Sequence, residues 1–359
     1  MEYRQLGNTG VKVSARSLGT MMFGGGNTDE KSCKRILDQA LDAGINLIDT
    51  ADHYADGRSE EIIGRSLGSR RNDVILSSKV HFPVGEVAIN NPINRSGNSR
   101  YWIFKAVEAS LRRLNVDHID LLHIHRPDFQ TDISETLRAL TDIVRQGKVR
   151  YIASSTFPGF HVNECAWLSE QRGLERFVSE QLPYSILVRH NERDVFKVLA
   201  QKGMGAITYS PLAGGWLTGK YKRGVAAPAD TRANTFPATA ARFDPSVAEN
   251  RRKFDVIDKL NLVAGEAGLS LANMAIAFAA EHPAVSSVLI GPRTEEQMTS
   301  LLESIDLRLD AETLDAIDLC VRPGETLNPL DRAWQPPWLA PEARRRPVPQ
   351  LTNSLEPAK

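Results

Sequence analysis

Asn46-Leu-Ile-Asp49-Thr-Ala-Asp-His-Tyr54 reads as the end of a short buried strand that runs into a polar loop. The strand is apolar except at its edges, ends on Asp49, and the loop then delivers Tyr54. A phenol is a poor acid at neutral pH, because its unperturbed pKa is about 10. A cation beside it stabilises the phenolate and makes it a usable proton donor. The next apolar run, Asp73-Val-Ile-Leu-Ser-Ser-Lys79, ends on such a cation. One strand further on, Ile119-Asp-Leu-Leu-His-Ile-His125-Arg-Pro supplies histidine. Asp, Tyr, Lys and His therefore stand at or just past the ends of successive strands.

Outward from this stretch the chain alternates. Met1 to about Val13 carries the turn signal Gly7-Asn-Thr-Gly10 between short runs, which predicts a hairpin at one end of the domain. A strand near Arg16-Ser-Leu-Gly19 precedes a helical pattern through Ile36, Ala40 and Leu41 that stops at Gly44. Ile103, Val107, Leu111 and Leu114 mark one helix face; Ile133, Leu137, Leu140 and Val144 mark another. Further strands are expected at Val149–Ser155, Phe177–Gln181, Ala206–Tyr209 and Ser286–Gly291. Long polar loops, His81 to Arg100 and Leu212 to about Ser246, interrupt the rhythm. About eight strand–helix repeats predict an α/β fold, a (β/α)8 barrel with an amino-terminal hairpin. The rival on pattern alone is an open doubly wound sheet, but no Gly-x-Gly-x-x-Gly follows the first strand.

Residues 1–330 are expected to form the barrel and 331–359 a tail. The tail is dense in proline, which opposes a long helix or a ladder-forming strand. Trp334 and Trp338 are expected to be buried, near the substrate mouth, and the stretch after Arg346 to be disordered. The 44 Lys and Arg residues balance the 44 Asp and Glu, so bulk attraction to nucleic acid or an anionic membrane is not expected. There is no long apolar run and no signal-peptide pattern at Met1-Glu-Tyr-Arg. Cys33, Cys165 and Cys320 are too scattered for a disulfide framework or a zinc site, which makes the cytoplasm the expected compartment.

The motifs resemble the aldo-keto reductase family. The resemblance runs through Met1-Glu-Tyr-Arg-Gln-Leu-Gly, Leu18-Gly-Thr-Met-Met-Phe-Gly, the stretch above, Gln181-Leu-Pro-Tyr184, Tyr209-Ser-Pro-Leu-Ala-Gly-Gly and Val288-Leu-Ile-Gly291-Pro-Arg293. It implies a catalytic group of Asp49, Tyr54, Lys79 and His125. Tyr54 would give its proton to a carbonyl oxygen, and Lys79 would stabilise the phenolate. Asp49 would fix Lys79, and His125 would orient the carbonyl. Singly, each has an ordinary reading: a loop cap, a rim aromatic, a solvated strand end, a core histidine. His123 shares a strand face with His125 and is its rival; the His125-Arg-Pro127 ending matches the family.

These side chains move only protons, so a hydride donor is implied, and the family's donor is NADP(H). The resemblance places cofactor contacts at Gly19, Thr20, Met21 and Asp49. Ser155, Thr156 and Gln181 would take the carboxamide, and Tyr209 the nicotinamide ring. Thr156 stands where relatives have Asn, with one fewer donor. Ser210, Pro211, Leu212, Gly214, Lys220, Arg232, Gly291 and Arg293 would serve the phosphates, at loops where barrels commonly hold them. Gln297 would lie near the adenosine, while Ser300 and Leu301 depart from the usual Glu-Asn. The implied activity is NADPH-dependent reduction of an aldehyde or ketone, or oxidation of an alcohol. The substrate pocket would involve the loops around Phe23, His81 to Arg100, Trp216 to Phe236 and the tail. A homo-oligomer is compatible with the sequence. The rivals are a nucleotide-binding regulatory subunit, as in the potassium-channel β-subunits of this branch, and a metal-dependent barrel hydrolase.

Overall fold

The computed structural model describes residues 1–25, 28–91, 93–229, 231–340 and 343. The hairpin comes first: β1 (Tyr3–Gln5) pairs antiparallel with β2 (Lys12–Ser14), Tyr3 opposite Ser14. At its turn Gly7 has φ +56°, and a Cβ there would come within 2.7 Å of the Gly203 and Val178 carbonyl oxygens. Only glycine permits that approach. The hairpin thereby drops Leu6 and Val13 into a cluster with Leu47, Leu121, Ala153, Ile207 and Leu289.

Eight strands close into the barrel: β3 (Arg16–Gly19), β4 (Leu47–Asp49), β5 (Ile75–Val80), β6 (Ile119–Ile124), β7 (Val149–Ser155), β8 (Phe177–Pro183), β9 (Gly205–Tyr209) and β10 (Val285–Ile290), with β10 beside both β3 and β9. The fold is a (β/α)8 barrel. Its register places Asp49 level with Gly19 and Ser77, and Lys79 level with His123.

The helices follow their sequence signals. α1 (Glu30–Asp42) starts at Asp29, whose carboxylate accepts the Ser32 N–H at 2.9 Å, and buries Cys33, Ile36, Leu37, Ala40 and Leu41. Burial of each large aliphatic side chain stabilises by roughly 1.5–3 kcal/mol. α2 (Arg58–Leu67) follows the Tyr54 loop. The polar loop after β5 is not wholly irregular, because α3 (Glu86–Asn90) forms within it. α4 (Arg100–Leu114) is capped by Ser99 and α5 (Ile133–Arg145) by Asp132. α6 (Gly159–Arg172) and α7 (Val195–Lys202) complete the first run. The second long loop is likewise broken by α8 (Arg232–Thr235) and by 3-10 turns at Ala213–Thr218 and Pro237–Arg242. α9 (Ala248–Glu266), α10 (Leu271–Glu281), α11 (Glu295–Leu302) and α12 (Ala311–Cys320) follow. Among the described residues no single helix is long and apolar enough to cross a membrane.

The chain divides into two compact units. The first is Met1–Leu182, Asp194–Tyr209 and Ala279–Arg308, and holds the barrel. The second is Pro183–Arg193, Ser210–Phe278 and Leu309–Lys359. In the second unit the described residues around the start of the tail form two short turns, Pro329–Arg332 and Pro337–Leu339. The expected burial of both indoles is corrected: Trp334 is half-buried, but Trp338 is 41% exposed, with its ring 6.0 Å from that of Trp334. The stretch after Arg346 lies outside the described residues. All three thiols are free.

Candidate active site

β4 ends on Asp49 because Leu47 and Ile48 are buried with it, which leaves its carboxylate inside the barrel. β5 runs one residue past Lys79, to Val80, so the lysine lies within the strand and is fully buried. A buried ammonium is costly unless every hydrogen finds an acceptor. Lys79 Nζ finds three: Asp49 Oδ2 at 2.5 Å, the Thr50 carbonyl at 2.7 Å and Tyr54 Oη at 3.2 Å. Burial pulls the Lys79 pKa down, but Asp49 and the Tyr54 oxygen outweigh it and raise it above the ordinary lysine value. The other carboxylate oxygen, Asp49 Oδ1, accepts from Ser77 Oγ and from Gln181 Nε2, both at 2.9 Å.

Lysine has no acceptor, so Tyr54 Oη must be the acceptor in its bond with Lys79. The phenol's own proton is left outside that bond, on a half-buried ring at the strand ends. The loop beyond Tyr54 is tightly bent. Ala55 and Asp56 have φ +48° and +58°, and Gly57 has φ +91° with Arg113 where a Cβ would stand.

The two candidate histidines differ in depth. His123 is fully buried and its Nδ1 lies 3.2 Å from Ser77 Oγ. His125, just past β6, packs its ring edge-on to Tyr54 with centroids 5.9 Å apart. Burial holds the His123 pKa down at about 4 and that of His125 well below the usual value, with Lys79 acting in the same direction on both; Asp49 opposes it at His123. Both rings are neutral near pH 7. His53 and Phe82, which sequence reasoning did not single out, stand 4.8 and 5.2 Å from the His125 ring.

Sequence reading also missed Ser77 and the buried acids behind the loop. Ser77 shares a strand face with Lys79, and that spacing of two is a signal that could have exposed it. Asp52 carried no comparable signal. It is fully buried, and among the described residues its carboxylate forms no side-chain hydrogen bond, with only weak help from the His53 and His81 backbone N–H groups. Glu60, also buried, accepts from Ser78 Oγ at 2.5 Å and Arg113 Nε at 2.7 Å. Burial pushes the Asp52 carboxyl up to about 7, opposed chiefly by Arg113. Its folded pKa is above the unfolded value near 3.9, so its contribution is fully present below that value and is lost as pH rises through about 7. Asp52→Asn, neutral at every pH, should therefore gain on the order of a few kcal/mol relative to the parent between pH 4 and pH 8. Thermal melts of both proteins across that range test this; a difference in Tm that does not change with pH would refute it.

The remaining predicted residues are placed as follows. Thr20 is fully buried, its hydroxyl tied to the Asp49 carbonyl and Ser59, whereas Met21 is 39% exposed and Gly19 ends β3. Phe23, expected to border the substrate pocket, is fully buried in the core, and so is Trp216 to within 1%. Ser155 ends β7. Thr156 takes φ +58°, an unusual conformation for a β-branched residue, and its hydroxyl donates to the Ser155 carbonyl and accepts from Arg126. Tyr209 packs on the barrel cluster. Gly291 follows β10. The Arg293 N–H donates to Gln297 Oε1 at 2.9 Å just ahead of α11, and Glu295 of that helix pairs with Arg35 at 2.7 Å. In the second unit, Ser210 and Gly214 have φ +58° and +71°, Pro211 is buried, Leu212 is half-buried, and Lys220 and Arg232 lie near the rings of Tyr221 and Phe236. Among the described residues no group of three His, Cys, Asp or Glu side chains is placed to hold a metal ion.

Comparison with known proteins identifies the family. The model of the aldo/keto reductase family matches residues 17–322. The chain is 38% identical over 332 residues to the uncharacterized oxidoreductase YrpG of Bacillus subtilis, covering 90% of this chain and 97% of that protein. It is 36% identical over 314 residues to a probable voltage-gated potassium channel subunit beta of Arabidopsis thaliana, covering 86% and 92%. It is 31% identical over 350 residues to versiconal hemiacetal acetate reductase of Aspergillus parasiticus, covering 90% and 100%. The chain belongs to the aldo/keto reductase family, a family of oxidoreductases.

Proposed function

We propose that the protein reduces an aldehyde or ketone to the alcohol, reversibly, with NADPH, and that Tyr54 is the proton donor. The observation that carries this is the Lys79–Tyr54 contact. All three Lys79 hydrogens are occupied, the phenol oxygen accepts one of them, and the phenol proton is free to leave toward the strand ends. The nicotinamide supplies the hydride. When the proton departs, the ammonium balances the negative oxygen, and Asp49 holds the ammonium in place. His125, neutral and beside the Tyr54 ring, donates to the carbonyl oxygen from the ring nitrogen away from its buried Nδ1. His123 is engaged by Ser77 and sits too deep for that role. Gln181 gives one Nε2 hydrogen to Asp49, which leaves Oε1 for an amide donor such as the carboxamide.

The choice of NADPH rests on Arg293. Arg293 precedes α11, whose amino terminus favours negative charge, and a guanidinium suits a phosphate. Glu295 is committed to Arg35, and Glu296 is held at its own helix start, hydrogen-bonded to Thr294 and its own backbone N–H. Arg293→Ala should therefore weaken NADPH binding by roughly tenfold, about 1.4 kcal/mol, and leave NADH binding nearly unchanged. Dissociation constants for both cofactors decide this; equal weakening would place Arg293 on a group the two share.

A carbonyl-substrate panel with NADPH oxidation followed optically tests the function as a whole. The similarity to a channel β-subunit supports a second reading, a nucleotide-binding subunit with little turnover. NADPH binding without oxidation by any carbonyl would favour that reading.

A further inference from the structure

The tail of the second unit is bound into the loop that carries the Gly214 and Lys220 residues assigned above to the cofactor phosphates. Asp331, in the Pro329–Arg332 turn, is 3% exposed and meets two cations. Its Oδ1 accepts from Arg242 Nε at 2.7 Å, and its Oδ2 lies 2.7 Å from the ammonium of fully buried Lys253 on α9. Lys253 also donates to the Arg242 carbonyl at 3.1 Å and sits 5.0 Å over the Trp216 ring. The Trp216 indole N–H donates to that same carbonyl at 3.3 Å, and its ring stacks on Phe243. Just ahead of the tail, Asn328 donates to Asn250 Oδ1 at 2.8 Å, and Asn250 Nδ2 in turn donates to the Ala241 and Asp244 carbonyls.

The linkage ends at the phosphate-side residues themselves. Trp216 belongs to the Ala213–Thr218 turn. In that turn a Cβ on Gly214 would meet Phe243 at 3.0 Å, and one on Gly215 would meet Lys220 Cε at 2.6 Å. The lysine stem thus lies directly on the turn's backbone, and Phe243 closes its other side. A buried ammonium without its partner is strongly unfavourable, so on loss of the Asp331 charge Lys253 would shift or give up its proton, and either weakens its bond to the Arg242 carbonyl, to which the indole is also tied.

We propose that Asp331 is a positioning residue for cofactor binding, fixing through Arg242, Lys253 and Trp216 the turn that bears Gly214 and against which Lys220 packs. The proposal rests on the reading that this loop binds the nicotinamide nucleotide. It gives the tail a role in cofactor affinity, where the sequence alone suggested a role in substrate selection.

The test uses the full chain carrying Asp331→Asn, with Arg242→Gln as a milder variant that leaves the Lys253–Asp331 pair intact. Three quantities are read: the NADPH dissociation constant, kcat at saturating NADPH, and the rate of limited proteolysis within residues 222–246 without cofactor. For Asp331→Asn, cleavage should quicken about tenfold and the NADPH dissociation constant rise at least fivefold. Its kcat at saturating cofactor should stay within about twofold, and Arg242→Gln should move the first two quantities less, in the same direction. Faster cleavage with unchanged NADPH affinity in a folded variant would overturn the proposal, because the strap would then be structural only. A fall in kcat with unchanged affinity would overturn it too. Parent protein that does not bind NADPH at all would instead overturn the function on which the proposal rests.

Discussion

Tyr54→Phe should lower kcat for carbonyl reduction by roughly a thousandfold, while the NADPH dissociation constant stays within about twofold of the parent value. The substitution removes one oxygen. The ring contacts with His53 and His125 remain, at centroid distances of 5.0 and 5.9 Å, so the loop keeps its packing. What disappears is the acceptor for one Lys79 hydrogen and the proton that would reach the substrate oxygen. A positioned general acid typically contributes about 10²–10⁴-fold, which sets the expected size. Single-turnover reduction measured beside cofactor binding separates the two effects. If the variant keeps a tenth or more of the parent's rate, Tyr54 is not the donor.

Lys79→Met should abolish turnover to a similar extent and also destabilise the fold. Here a buried cation is removed from beside a buried anion. Asp49 would retain its bonds from Ser77 and Gln181 on Oδ1, but Oδ2 would lose its partner at 2.5 Å. Breaking such a pair from one side costs about 3–5 kcal/mol. The thermal midpoint should therefore fall while the far-ultraviolet circular dichroism of the folded state is kept. Cofactor binding distinguishes a lost catalytic group from a collapsed barrel: a folded variant that binds NADPH without reducing carbonyls is the expected result. A folded Lys79→Met protein with near-parental turnover would remove lysine from the mechanism and leave the phenol without its counter-charge.

The strand–helix order, the hairpin and the Asp49–Tyr54–Lys79–His125 series were legible in the sequence. Each rests on local signals: apolar runs bounded by turn residues, caps such as Asp29 and Ser99, and polar groups where strands end. Period-two alternation would also have exposed Ser77 on the face of Lys79. Other features depend on which distant segments meet, and no local pattern encodes that. Gln181 reaches Asp49 across 132 positions because barrel closure brings β8 to face β4, and that contact takes one of the two donors of the amide expected at the cofactor. The tail behaves in the same way. Its prolines announced a lack of long helices, but only folding placed Asp331 between Arg242 and Lys253 and left Trp338 exposed. Protonation is the clearest case. Asp49 and Asp52 stand three positions apart in one motif. The tertiary structure gives the first a lysine, a serine and a glutamine, and gives the second no side-chain hydrogen bond among the described residues. Burial disfavours the charged form, and with no side-chain donor bonded to it the Asp52 carboxyl is pushed up to about 7.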